Sequence, residues 1–124
     1  TAFTTSSFAE NFGLGKDFVA KASPELVEKA VKATKELGAN PMVGPIFSSD
    51  VFYDGGIHKK FFDENGVLAV EMEAASLYMN AYKADKQALA ICTISDSLVT
   101  GESLSSDDRQ NSFTTMMKIA LEIA

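Results

Sequence analysis

The chain is 124 residues long and 46% hydrophobic, which suits one globular domain and excludes a disordered or fibrous segment. Eleven Lys and Arg against 17 Asp and Glu give a formal net charge of -6, an acidic field without a basic stripe that disfavours a nucleic-acid partner. No apolar stretch approaches the roughly 20 residues that cross a bilayer, and no basic-then-apolar leader opens the chain, so a cytoplasmic protein with no membrane partner is expected.

In chain order, "TAFTTSS" is rich in β-branched and aromatic residues and reads as the end of a strand. The loop "NFGLGKD" follows; it lacks the spacing of a phosphate-binding loop and the Ser or Thr after its Lys. Ser23 and Pro24 then give an N-cap and a first-turn proline. Leu26, Val27, Ala30, Val31 and Leu37 fall near one helical face, and Gly38 ends the helix.

"NPMVGPIFSSDVFY" reads as a second strand leading into a loop, with Gly44 and Pro45 marking a bend or edge. His58, beside Lys59 and Lys60, is expected in a solvated loop, and one histidine without clustered ligands argues against a zinc site. Phe61 and Phe62 read as packing residues. After the "ENG" turn, Val67 to Val70 form a short apolar strand, and Ala74, Ala75, Leu77, Tyr78 and Ala81 continue as a helix.

"ALAICTISD" reads as the clearest buried strand, with the single cysteine, Cys92, as a small buried hydrophobe. Ser105 to Asp108 has the form of a capping box. It opens a last helix whose stripe comprises Phe113, Met116, Met117, Ile119, Ala120 and Leu121. Alternating strands and helices predict an α/β layered fold, a mixed β-sheet flanked by helices.

In such sheets ligands lie beyond the carboxyl ends of the strands, which directs attention to polar and aromatic residues just after the apolar runs. These are Phe52 and Tyr53, then Glu71 to Glu73, then Ser95 with Asp96. Glu71 and Glu73 fit two roles: acids favoured by a helix dipole, or two-oxygen acceptors for a vicinal diol with Met72 as an adaptable apolar surface. Asp96 reads either as a turn residue or as a general acid. Arg109 reads either as half of a surface ion pair or as the cation that makes Asp96 a readier donor.

Taken together, "VEMEAASLY", "ICTISDSLVTGE" and "DDRQNSFTTMMKIALE" resemble the C-terminal half of the hexameric, bacterial-type purine nucleoside phosphorylases, and "SSDVFY" resembles that family's base-binding segment. The likeness covers nearly all 124 residues in the same order. It implies the C-terminal part of a single nucleoside phosphorylase-like α/β/α domain, with the N-terminal half absent. It also implies phosphorolysis of purine (deoxy)ribonucleosides to free base and sugar 1-phosphate in purine salvage.

By motif position, Glu73 would hold the ribose hydroxyls, with Met72 and Glu71 lining the sugar pocket. Phe52 would pack against the base, near Val70 and Tyr53. Asp96 would protonate the purine at N7, supported by Ser95 and by Arg109 moving against it on closure. No metal or cofactor is implied beyond inorganic phosphate as co-substrate. The implied partners are the purine nucleoside, the N-terminal half of the same protein and further copies of the chain, as a hexamer built as a trimer of dimers.

The family's phosphate-binding glycine and arginine lie upstream of the segment that "TAFTTSS" resembles, so the 124 residues alone are expected to be inactive. A hydrolytic purine nucleosidase of the methylthioadenosine nucleosidase type shares the Glu-Met-Glu and Ser-Asp elements, and a non-catalytic purine-nucleoside-binding module is the alternative from another class. A uridine phosphorylase fits less well, because a pyrimidine offers no N7 to protonate.

Overall fold

Three short strands and six helices make up the regular structure of the computed structural model, which describes residues 1–52, 54–111 and 113–124. In chain order the elements are β1 (Ala2–Thr4), α1 (Phe8–Asn11), α2 (Pro24–Glu36), β2 (Ile46–Ser48) and α3 (Lys59–Asn65). There follow β3 (Ala69–Glu71), α4 (Ala74–Lys83), α5 (Ser106–Asn111) and α6 (Thr114–Ile123). They fall into two units: Thr1–Val27 with Met42–Ala90, and Glu28–Pro41 with Ile91–Ala124.

In the first unit the strands pair in parallel in the order β1-β2-β3. The register sets Ala2 beside Ile46 and Ala69, Phe3 beside Phe47 and Val70, and Thr4 beside Ser48 and Glu71. Successive side chains of a strand point to opposite faces, so the first and third of these rows share one face and the middle row lies on the other.

The face bearing Ala2 and Ile46 carries α4, which packs on β1 and β2. Buried Ala74, Ala75, Tyr78 and Met79 close over Ala2, with Ile46 packed against them. The opposite face belongs to α3, where Phe61 meets Phe3 edge-on at 5.2 Å and Phe62 meets Phe47 edge-on at 5.0 Å between ring centroids. Helices on both faces of a parallel sheet make the α/β/α layering expected from the alternation of elements.

Helix α3 was not legible as a helix in the sequence, where "KKFFDENG" shows only two adjacent aromatics. Its packing comes from contacts distant in sequence, and Gly66 ends it at φ 62°, a left-handed conformation that costs glycine little. His58 is the N-cap residue of α3 rather than part of a solvated loop: its ring lies 5.0 Å from that of Phe47, and its Nδ1 is 2.7 Å from Asp54 Oδ2.

The run "ALAICTISD" joins no ladder with β1, β2 or β3. An apolar run signals burial but does not itself supply a neighbouring strand. Its first residues are held by other groups instead. Ser23 N–H donates to Ala88 O and Ala88 N–H donates back to Ser23 Oγ, each at 2.9 Å, while Ala90 N–H donates to the Tyr78 hydroxyl at 3.0 Å. Ser23, expected as a helix cap, thus turns its hydroxyl to Ala88.

In the second unit Cys92 and Ile94 are exposed, which corrects the expectation of a buried cysteine. An isolated antiparallel bridge joins Asp96 to Ser103. The final helical stretch is two helices, α5 and α6, rather than one. The capping interaction before α5 is present: Asp108 N–H donates to Ser105 Oγ at 3.1 Å, and the Ser105 hydroxyl donates to Asp108 Oδ2 at 2.7 Å. Of the apolar stripe on α6, Ile119 is buried, whereas Met117 and Leu121 are exposed.

Candidate active site

The carboxyl ends of the three strands bring Thr4, Ser48 and Glu71 side by side in one row. Beyond that row the first unit holds an open pocket of about 240 Å³, lined by Thr4, Ser6, Ser48, Asp50, Met72 and Ser76 among others. Hydroxyl groups dominate its polar lining, and Met72, 42% exposed, supplies an apolar wall. Such a surface suits a ligand bearing both hydroxyls and an apolar face.

Glu71 and Glu73 are placed differently. The Glu71 carboxylate is occupied within the fold: Oε1 accepts the Ser48 hydroxyl, while Oε2 accepts Glu73 N–H at 2.8 Å and Ala74 N–H at 2.6 Å. Ser48 Oγ in turn accepts Ala75 N–H at 2.8 Å. Of the two roles open in the sequence, Glu71 performs that of the acid at a helix N-terminus, satisfying N–H groups that the first turn leaves without intrahelical partners. Glu73 is the N-cap residue of α4, and its exposed carboxylate bends back to accept Met72 N–H at 3.2 Å.

Phe52, 72% exposed, lies in the loop after β2. Tyr53 lies outside the described residues. The Val70 side chain belongs to the Phe3 and Phe47 row, on the sheet face away from Thr4, Ser48 and Glu71. The structure therefore brings Met72 into the pocket and Glu73 beside it in sequence, but turns Val70 elsewhere.

The second unit assembles Ser95, Asp96 and Arg109. Arg109 Nη2 donates to Asp96 Oδ1 at 2.6 Å, and the Ser95 hydroxyl donates to Asp96 Oδ2 at 2.6 Å. Both carboxylate oxygens are thus engaged by donors, one of them cationic. Asp96 remains 40% and Arg109 46% exposed at the side chain, so the group is open to a ligand. Among the described residues no three His, Cys, Asp or Glu side chains gather as a metal-binding group.

Ser48, Asp50 and Ser76 were missed as pocket residues. The signal for Ser48 was present in "IFSSD", where a hydroxyl directly follows the apolar end of a strand. Ser76 sits one helical turn inside "EAASLY" and looks like a surface residue until the strand ends are set beneath it.

An α/β/α sandwich on a parallel sheet, with hydroxyls, carboxylates and an apolar wall at the strand ends, defines a class of α/β protein that holds its ligand beyond the carboxyl edge of the sheet. Within that class, the chain belongs to the phosphorylase superfamily, whose family profile matches residues 3–124. It is 50% identical over 111 residues, 89% of this chain and 48% of the relative, to a DeoD-type purine nucleoside phosphorylase of Thermoanaerobacter sp. strain X514. It is 43% identical over 123 residues, 99% of this chain and 53% of the relative, to the DeoD-type purine nucleoside phosphorylase of Listeria welshimeri.

The chain spans about half the length of the curated relatives it matches. Among solved structures, a Toxoplasma gondii purine nucleoside phosphorylase in complex with immucillin-H superimposes with a TM-score of 0.81 at 21% identity, over 98% of this chain and 51% of that one. At that identity the match speaks for the fold.

Proposed function

We propose that this chain contributes the nucleoside-binding and base-protonating groups of a purine nucleoside phosphorylase, which releases free purine and (deoxy)ribose 1-phosphate. The observation that carries this reading is the engagement of Asp96 by Arg109 and Ser95. Cleavage of the glycosidic bond sends its electron pair into the purine while positive charge grows on the sugar. Asp96 enters the step carrying a proton and gives it to N7 of the departing base, while a phosphate oxygen forms the new bond at the anomeric carbon; the pairing with Arg109 and Ser95 is that of the carboxylate left behind. The carboxylate left on Asp96 is stabilised by the Arg109 guanidinium and the Ser95 hydroxyl, groups already aimed at the charge that develops.

Glu73 accepts hydrogen bonds from the ribose hydroxyls, and Met72 packs on the sugar, while Glu71 lies behind them with its carboxylate held by Ser48 and the first N–H groups of α4. Phe52, with Tyr53 next to it in sequence, serves the base, while Val70 supports the strand from the opposite face of the sheet. Inorganic phosphate is the co-substrate and no other cofactor is needed. The phosphate-binding residues implied by the resemblance belong to a complementary N-terminal half, so turnover is proposed for the polypeptide that joins the two halves. Among the described residues no helix is long and apolar enough to cross a membrane. The resemblance to the bacterial-type purine nucleoside phosphorylases is the ground on which we propose a cytoplasmic enzyme and a homo-oligomer of the hexameric kind.

The test is ultraviolet-monitored cleavage of inosine and adenosine, with and without phosphate, by the 124-residue chain and by a polypeptide carrying the complementary half. Phosphate-dependent base release by the longer polypeptide is expected. Release that proceeds equally without phosphate would transfer the assignment to a hydrolytic nucleosidase, and binding of nucleoside without release of base would indicate a binding module.

A further inference from the structure

We infer that Ser48 and Glu71 are positioning residues, a buried clamp that fixes the turn from which Met72 and Glu73 project, and that the charge of Glu71 is not spent on the ligand. The inference rests on the nucleoside-binding reading above and revises how Glu71 serves it.

Three observations support the clamp. Ser48 is buried at 5% exposure, and its hydroxyl is used twice, donating to Glu71 Oε1 and accepting Ala75 N–H. Glu71 Oε2 takes the N–H groups of both Glu73 and Ala74. Ser48 and Glu71 are also register partners at the ends of β2 and β3, so the clamp ties two strand ends to the first turn of α4.

The consequence concerns the two residues between strand and helix. Met72 and Glu73 lie between Glu71, fixed in β3, and the Glu73, Ala74 and Ala75 N–H groups that Glu71 and Ser48 hold, so their side chains leave the backbone from a fixed base. Binding groups must be held to within a fraction of an ångström, and misplacement by about 1 Å can lower a rate on the order of a hundredfold. A carboxylate whose two oxygens already accept three hydrogen bonds has little capacity left for a diol.

The two roles of Glu71 separate in the variant Glu71→Gln. A glutamine keeps one oxygen for the Glu73 and Ala74 N–H groups and turns an amide toward Ser48 Oγ, while the negative charge is lost. Glu71→Ala removes the clamp altogether. The experiment uses the polypeptide that joins this chain to its complementary half, measuring inosine affinity by calorimetry and amide hydrogen exchange at Glu73, Ala74 and Ala75 for wild type, Glu71→Gln, Glu71→Ala and Ser48→Ala.

Expected are near-native affinity and protection for Glu71→Gln, and for Glu71→Ala a loss of about tenfold or more in both, the scale of hydrogen bonds to a charged group. Ser48→Ala should speed exchange at Ala75 above all. Equal losses of affinity in Glu71→Gln and Glu71→Ala would overturn the inference in favour of a direct ligand contact. Unchanged exchange at the three amides in Glu71→Ala and Ser48→Ala would overturn it as well. If wild type binds no inosine, the nucleoside reading fails, while the exchange rates still decide whether the clamp exists. Should Glu71→Ala not fold, Ser48→Ala and Glu71→Gln carry the same decision.

Discussion

Arg109 Nη2 stands 2.6 Å from Asp96 Oδ1, two residues thirteen apart in sequence and brought together with α5 supplying the arginine. The contact closes a pair whose partners are each more than a third exposed. Its value for stability is therefore modest, because solvent screens exposed ion pairs to about 0.2–1 kcal/mol. Its value for chemistry is larger if Asp96 moves a proton.

Removing the acid tests this directly. Asp96→Asn in the turnover-competent polypeptide should lower base release by about 100-fold to 10,000-fold, the usual contribution of a positioned general acid, while calorimetry shows nucleoside affinity within a few fold of wild type. A variant that retains native rates excludes Asp96 as the proton donor.

For Arg109 the prediction is a divergence between two readouts. Arg109→Ala should lower kcat by at least about tenfold while shifting unfolding free energy by no more than about 1 kcal/mol, measured by urea titration. Parallel large losses in both would make the pair structural.

The acid limb of the stability profile should carry a signature of Asp54. Its carboxyl is held below the usual aspartate value, first by the Gly56 N–H, 2.7 Å from Oδ1, and then by His58. A group whose folded value lies below its unfolded one stabilises fully above the unfolded value, near pH 3.9, and loses that stabilisation as pH falls through the folded value. Asp54→Asn should therefore flatten the fall in stability below about pH 4, as followed by thermal unfolding between pH 2.5 and about 6.

The core of the first unit should be sensitive to truncation. Met79, 2% exposed, projects from α4 into the cluster with Ala2 and Tyr78, and Met79→Ala should cost about 2–5 kcal/mol. Phe47 lies on the other face, ringed by His58, Phe61 and Phe62, and Phe47→Ala should cost about 3–5 kcal/mol. Chemical denaturation monitored by circular dichroism measures both.

What could be read from the sequence was whatever has a local cause. Pro24 and Gly38 bracket α2, Ser105 and Asp108 mark the start of α5, and the polar residues after "AV" and "ICTIS" pointed to Met72, Glu73 and Asp96. The sequence offers Arg109 two readings, and the structure sets its guanidinium against Asp96. What escaped depends on partners distant in sequence. Helix α3 exists because Phe61 and Phe62 find Phe3 and Phe47. Glu71 is consumed by Ser48 and two helix N–H groups. "ALAICTISD" has the composition of a strand, and among the described residues it pairs only through the Asp96–Ser103 bridge. His58 could not be placed until Asp54 and Phe47 were beside it.

The alternation of the sheet has one more consequence. Rows of Phe3, Phe47 and Val70 and of Thr4, Ser48 and Glu71 are one residue apart and face opposite ways. A slip of β2 by a single residue would send Phe47 toward the helix that needs Ser48 and bury a hydroxyl among phenylalanines. The same error would empty the aromatic layer and dismantle the clamp at once. Misregistered chains are thus penalised on both faces together, so a molecule with an ordered interior is also one with the turn at Met72 and Glu73 correctly built.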